Sequence, residues 1–408
     1  MTDCVEQKQE ERTEGSEKEQ PLPGLEELAV LVVHNDVSES TNPSECDVLD
    51  EVAAVCASLE RLGLAHAAVP LADPRAIAQT LASAPVHGRA GTVVWNLFEN
   101  TVGRWYSGTF LEAALPVGAE VCGHGCVGAD SLAMWLTTDK AATRRALERA
   151  GVRIPRGVHC VRDSCTEASL ADALVREGLA QQVKNKDGKE DKDEVKLLCD
   201  VIVKPASADG SEGIEWDRSV FRAGAGVDGV WARVAHVCAA MRMDALVEAL
   251  VGDAELNVSL VADPVLRVAA VADIDFAPLP PGLPRIVDFA GKWTPASPMY
   301  ASVRRLPSAL DAPTARLVRD VALRAFRAAG MRDYGRVDMR CDLARGHVAP
   351  DRLWVIEVNA NPCVSPGSGF HDGLVATGTP FDAFVRSMVL EAYRRSKDYD
   401  DWLSSHRH

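Results

Sequence analysis

The sequence predicts an open α/β layer that gives way to α+β organisation, and three observations carry that reading. Up to about residue 129, short apolar runs alternate with an amphipathic helical stretch, the rhythm of a βαβ-type layer. From Asp200 onward strand-like runs follow one another, with a helical stretch set apart. At 408 residues the chain exceeds what one hydrophobic core usually supports, so two or three domains are expected.

Leu28 to Val33 is an apolar run ending in His34-Asn35-Asp36, the pattern of a buried parallel strand. Val48 to Leu62 spaces apolar residues at three and four and stops at Gly63, which reads as an amphipathic helix with a glycine cap. Val93 to Leu97 reads as a second buried strand. Thr137-Thr138-Asp139 caps a helix running to Ala150, which places Lys140 in its first turn. Residues 183–196 hold five lysines, five acids and one glycine, too polar to bury, and are expected to form a mobile insertion. Further strands are expected at Val201–Lys204, Ala245–Glu248, Asn257–Val261, Leu266–Ile274, Gly335–Cys341 and Leu353–Asn359, with a helix at Pro313–Ala329. The expected units are a disordered acidic tail at 1–24, an N-terminal α/β domain at 25–129, a central domain at 130–247, a C-terminal domain at 248–395 and a tail at 396–408.

A net charge of -15, with no long run of Lys or Arg, disfavours a nucleic-acid groove or an anionic membrane surface as partner. No apolar stretch approaches membrane-spanning length, and the acidic first twenty residues do not fit a secretory signal. Eleven cysteines, odd in number and scattered, read as reduced thiols, so a cytoplasmic protein acting on small molecules is expected.

The chemistry concentrates near the C-terminal strands. In Gly335–Cys341 the period of two puts Arg336, Asp338 and Arg340 on one face, and in Leu353–Asn359 it puts Glu357 and Asn359 together. If these strands pair, two carboxylates and an amide oxygen converge, a donor set that suits a hard cation such as Mg²⁺ shared with phosphate oxygens. Ion pairing on a solvated face is the plain alternative. Lys204 ends an apolar strand and precedes a loop in which Gly210 and Gly213 allow backbone N–H groups to approach phosphate, although a hairpin turn uses the same residues. There is no GxxxxGK[ST] loop. Lys140 at a helix start favours anions, and Glu248 and Glu255 could accept from an adenine amine and ribose hydroxyls, whereas solvated lysines and acids are the ordinary case.

Gly123-His-Gly-Cys-Val-Gly128 fits GxGxxG, but no second strand presents a ribose-binding acid, and Cys122, His124 and Cys126 have no distant fourth ligand to close a zinc site. Cys363 has no His placed to activate it and is expected to shape a pocket.

Taken in order, Asp139-Lys140, Val201-Ile-Val-Lys-Pro205, Gly210-Ser-Glu-Gly213, Leu246-Val-Glu248, Glu255-Leu-Asn-Val258, Gly335-Arg-Val-Asp338 and Ile356-Glu-Val-Asn-Ala-Asn-Pro362 resemble the ATP-grasp superfamily, most closely its D-alanine:D-alanine ligase branch. The resemblance implies three domains with the nucleotide between the central and C-terminal ones. It implies that Lys140, Lys204 and Lys292 meet ATP phosphates, that Gly210, Ser211 and Gly213 close over them, and that Glu248 and Glu255 hold adenine and ribose. By the same carry-over Asp338, Glu357 and Asn359 hold two Mg²⁺ ions, for which Mn²⁺ can substitute. Arg336 stabilises a tetrahedral intermediate, and Ser368 and Gly367 serve the substrate. The reaction implied is amide formation through an acyl phosphate, between amino acids or peptide-like molecules, in a chain for which a homodimer is allowed.

The family's first-substrate motif HGxxGEDG is absent, and Asn96–Gly103 occupies its place. Ser38-Glu39-Ser40 is only a fragment of the other first-substrate loop, and Cys363 stands where the ligases carry glycine. These departures define a divergent subgroup whose substrates need not be D-alanine. Two other readings are a phosphotransferase on the same fold and an ATP-binding regulatory protein without turnover.

Overall fold

The computed structural model describes residues 24–99, 111–184, 190–343 and 346–405. Apart from Gly24, the expected acidic tail lies outside them.

The first layer is a parallel sheet in the order β2-β1-β3-β4, formed by β1 (Leu28–Asn35), β2 (Ala65–Leu71), β3 (Gly91–Leu97) and β4 (Gly125–Val127). All eight residues of β1 are buried, because both sheet faces are covered. Leu28, Val30 and Val32 enter the core shared with α1 (Val48–Arg61), whereas Leu31 and Val33 enter the core shared with α2 (Ile77–Ala82) and α3 (Leu111–Val121).

The central layer is a sheet in the order β5-β10-β8-β9, with β5 (Gly157–Cys160), β8 (Val201–Pro205), β9 (Val220–Phe221) and β10 (Ala245–Ala249). Its own apolar core receives Leu170 and Leu174 from α6 (Glu167–Arg176) and Val230 and Val234 from α7 (Val227–His236). The expected insertion at 183–196 falls within a strand pair. Ala180–Lys184 (β6) and Glu190–Leu197 (β7) pair as an antiparallel hairpin, closed at its base by Ala180 opposite Leu197 and by Gln182 opposite Val195. Charge balance hid the alternation of Val183, Val195 and Leu197, and residues 185–189 lie outside the described ones.

The third layer is a five-stranded antiparallel sheet in the order β13-β12-β11-β14-β15. Its strands are β11 (Ala254–Ala262), β12 (Leu266–Asp275), β13 (Val303–Arg305), β14 (Tyr334–Cys341) and β15 (Leu353–Asn359). One face packs on α9 (Ala312–Ala328), and the other receives Phe370 and Leu374 of α10 (Gly369–Ala376). Helices α4 (Ser131–Thr138) and α5 (Lys140–Arg149) were expected with the central domain. Their Ala133, Met134 and Leu147 instead join the core of Val337, Met339 and Val358 in the third layer. An amphipathic helix declares its apolar face, not which sheet covers it.

The C-terminal boundary also changes. Residues 396–408 were expected as a tail, yet helix α11 runs from Phe381 to Ser405 and packs on the first layer. Phe384 lies edge-on to Trp95 of β3 at 6.1 Å and to Tyr334 of β14 at 5.4 Å, welding the first and third layers. A side chain at Gly125 would come within 2.4 Å of the Ala392 carbonyl, so the glycine-rich turn at 123–128 serves helix packing.

Candidate active site between the central and C-terminal sheets

Strands β14 and β15 pair with Asp338 opposite Glu357 and Arg336 opposite Asn359, so the convergence expected from the alternation is present. A bulge beyond Asp338 leaves Ile356 without a partner across the ladder, and both Ile356 and Glu357 line the cleft. The Asp338 carboxylate is buried and fully engaged. Arg336 donates to it through Nε (2.7 Å) and Nη2 (2.9 Å), Asn257 through Nδ2 (2.9 Å) and Asn359 through Nδ2 (3.1 Å). Asn257, which pairs with Asp338 across β11, had its signal in the alternation of Glu255, Asn257 and Ser259 along that strand.

Helix α5 starts with its N-cap Asp139 accepting from Ala142 N, and the buried Lys140 reaches Glu357 Oε1 at 2.9 Å and the Ala208 carbonyl at 2.6 Å. Burial alone would raise the Glu357 carboxyl, but the charge and hydrogen bond of Lys140 hold it down to about 2. The same pairing raises Lys140 against its own burial.

Lys204 at the end of β8 points into the same cleft and binds Glu248 Oε2 at 2.6 Å. The other Glu248 oxygen accepts from Arg144 of α5. Glu248 lines the cleft, as expected for a residue near adenine or ribose, but it is 3 % exposed and both its oxygens are taken by cations. Glu255 does face the cleft, at 3.2 Å from Arg340 Nη1. Arg340 also donates to the carbonyls of Val251, Gly252 and Arg285, fixing the turn after β10. Ile202, Leu250, Val251, Ile286 and Ile356 make an apolar slot beside these charges.

The glycine loop and the Lys292 loop are laced together. Trp293 Nε1 donates to the Gly210 carbonyl (3.0 Å), Ser211 Oγ to the Val287 carbonyl (2.9 Å) and Phe289 N to the Ile214 carbonyl (3.1 Å). Ser211 is held at φ 64°, an uncommon backbone state for a residue with a side chain. Gly210 and Ser211 line the cavities, and at Gly213 a Cβ would meet Met241 Sδ at 2.5 Å and Pro205 Cγ at 2.6 Å, so close packing requires glycine there. Lys292, in α8 (Phe289–Trp293), lines both cavities, and burial followed by repulsion from Arg336 lowers its ammonium.

Two spaces meet here: a cleft of about 170 Å³ between the sheets and an outer cavity of about 770 Å³ reaching the first layer. Arg336 lines both. The outer cavity carries an acidic wall that motif reading missed: Asp47, just before α1, and Glu99 after β3 line it, with the buried Glu51 of α1 behind them. Burial, then Asp209 and Asp47, push the Glu99 carboxyl up to about 8. Burial and Glu99 raise Glu51, whose Oε2 accepts from Val364 N at 2.8 Å. Cys363 sits on this wall, 3.3 Å from Asp47 Oδ2 and 3.0 Å from Ser365 Oγ, with burial pushing its thiol far up. Gly367 and Ser368 line the same cavity, and Ser368 caps α10 by accepting from His371 N. Among the described residues, Cys122, His124 and Cys126 form no metal-binding group.

Paired lysines and facing carboxylates between two antiparallel sheets define the ATP-grasp fold, and solved structures bear this out. D-alanine–D-alanine ligase from Bacillus anthracis complexed with ATP superposes with a TM-score of 0.63 at 14 % identity, over 91 % of this chain and 99 % of that one. The Coxiella burnetii ligase gives 0.64 at 12 % over 93 % and 98 %. The family model described as D-ala D-ala ligase C-terminus matches residues 175–390, so the chain belongs to the D-alanine–D-alanine ligase family, a family of ATP-dependent ligases. The D-alanine–D-alanine ligase of Desulforudis audaxviator is 26 % identical over 84 % of this chain and 92 % of its own length. An uncharacterized protein y4sG of Sinorhizobium fredii is 24 % identical over 75 % and 76 %. Among the described residues no helix is long and apolar enough to cross a membrane.

Proposed function

We propose that this chain joins a carboxylate to an amine at the expense of ATP, through an acyl phosphate. The supporting observation is the convergence of Lys140, Lys204, Asp338 and Glu357 in one cleft whose inner end opens, at Arg336, onto a larger cavity. ATP as the substrate follows from this cleft and from the ATP complex of the Bacillus anthracis relative.

In this reading the apolar slot takes the adenine and Glu255 the ribose, while Lys140, Lys204 and Lys292 meet the phosphates. The loop of Gly210 and Ser211 covers them. The metal fit is one of donor chemistry: Asp338, Glu357 and Asn359 offer two carboxylates and an amide across one strand pair, which suits Mg²⁺ or Mn²⁺. When bound, such ions neutralise the triphosphate and polarise the transferred phosphoryl group. The donor's ammonium sits against Asp47 and Glu99, whose ionised forms its positive charge favours, and its carboxylate oxygen attacks the γ-phosphorus as ADP leaves. The acceptor amine then attacks the acyl carbon, phosphate departs, and Arg336 stabilises the oxyanion that forms.

Amino acids or short peptides are the substrate class, tested with a panel of D- and L-amino acids, ATP and Mg²⁺, with hydroxylamine as a trap. Hydroxamate accumulating with ADP is the expected result. ADP formation without hydroxamate would instead fit a phosphotransferase, and no ADP at all a binding protein.

A further inference from the structure

The loop after β8 carries an acid that lies outside every motif. Asp209 stands between Lys204 and Ser211, and its backbone is pinned on both sides. Lys140 Nζ donates to the Ala208 carbonyl at 2.6 Å, and Trp293 Nε1 to the Gly210 carbonyl at 3.0 Å. Glu212 N closes a turn on the carbonyl of Asp209 itself at 2.9 Å. The side chain, by contrast, is half exposed and lines the outer cavity. Its ion pair with Lys140 Nζ is 3.9 Å long, beyond hydrogen-bond reach, because that ammonium is drawn to Glu357 at 2.9 Å. A fixed backbone with a loosely held carboxylate suits an acid that meets a ligand.

Its surroundings put it beside the reacting centre. Burial raises its carboxyl, Lys140 pulls it down, and Glu357, Lys292 and Arg336 act on it after these. The groups around it are therefore the ones assigned above to the γ-phosphate, its cations and the oxyanion. Glu99 faces it from the first layer, and Glu212 from its own loop. Neighbouring acids are committed elsewhere: Asp338 accepts from Arg336, Asn257 and Asn359, Glu357 from Lys140, and Glu255 pairs with Arg340. In the ligase reading Asp47 and Glu99 face the donor's ammonium. The acceptor brings a second ammonium, which must lose a proton before its nitrogen can attack.

We propose that Asp209 is the general base of the second half-reaction and takes a proton from the acceptor's ammonium. This rests on the ligase reading above and adds a catalytic residue to it. One proton passes from nitrogen to the Asp209 carboxylate, and the freed electron pair forms the C–N bond at the acyl carbon. The C–O bond to phosphate then breaks with its electrons staying on the phosphate. The second nitrogen proton departs with that phosphate, and Asp209 returns its own to solvent.

Hydroxylamine is a neutral nucleophile at pH 7 and needs no base for a first proton, whereas an amino acid does. The test measures hydroxamate and amide from the same donor, across the panel of D- and L-amino acids with ATP and Mg²⁺, for full-length wild type, Asp209→Asn and Asp209→Glu. Asp209→Asn should lower the amide-to-hydroxamate ratio by about 100-fold or more, and Asp209→Glu should keep part of it. Raising the pH from 7 to 9 supplies more neutral amine and should return part of the amide formed by Asp209→Asn. The ratio is insensitive to general loss of folded enzyme. An unchanged ratio, whether both products fall together or neither falls, makes the residue structural and the proposal wrong. A lowered ratio that pH does not restore means lost acceptor binding, and also overturns it. Hydroxamate from wild type without amide from any amino acid overturns it as well and leaves the ligase reading standing. ADP without hydroxamate, or no ADP, removes the ligase reading and this inference with it.

Discussion

At Glu248 a carboxylate that looked like a ligand acceptor serves as the shared counter-ion of Lys204 and Arg144. Glu248→Ala leaves two largely buried cations facing each other, and about 3–5 kcal/mol of stability should be lost in urea titrations. Asp338 is a different case, because its carboxylate holds Arg336 as well as a share of the proposed cation site. Asp338→Asn keeps the shape and removes the charge, so turnover should fall by about 10²-fold or more while the urea midpoint moves less than for Glu248→Ala. Glu99 makes the pH prediction. Its carboxyl is raised from the ordinary range to about 8 in the fold, so the folded chain holds its proton more tightly than the unfolded chain. Stability from this group is present at low pH and is lost as pH rises through the window ending near 8. Glu99→Gln should flatten that fall, and the melting temperature of the ligand-free variant should exceed wild type at pH 8 and match it at pH 4.

At the scale of elements, the β14–β15 pair was legible in sequence because period-two alternation fixes which side chains share a face whatever the strands pack against. The bulge beyond Asp338 was not legible, since an extra residue leaves no mark in composition. Arg304, which lines both cavities, escaped notice because β13 is three residues long, too short to show a period. The acidic wall escaped because its members come from separate elements, and only the fold brings Glu51 to Glu99. Helix α11 was not read in the sequence, where 396–408 was expected as a tail, yet backbone bonding carries it to Ser405. Its Phe384 is 1 % exposed and touches three other aromatic rings from both welded layers. Phe384→Ala should cost about 3–5 kcal/mol in denaturant unfolding.

For the whole molecule, three layers do not make three independent cores. Val261, Tyr334 and Phe370 of the third layer share one core with Val32 and Trp95 of the first and Val385 of α11, so these two should unfold together. The central layer has its own core of residues 158–247, joined to the third through the smaller cluster around Phe276, Ile286 and Met299. Hydrogen exchange should therefore show amides of the central sheet opening at a lower free energy than those of β1, β3 and β14. Equal protection throughout would contradict that division.

The chain enters the central sheet along β5 and leaves it along β10, and these strands are antiparallel neighbours with Gly157 opposite Glu248. Both crossings thus emerge side by side at one edge, the construction of a door hung on a single short axis. Swinging that door needs backbone rotations at two adjacent points and leaves both major cores intact. Glu248 stands beside both crossings with Arg144 of the third layer on one oxygen and Lys204 of the central sheet on the other, so its two ion pairs bolt the layers together where the chain passes between them.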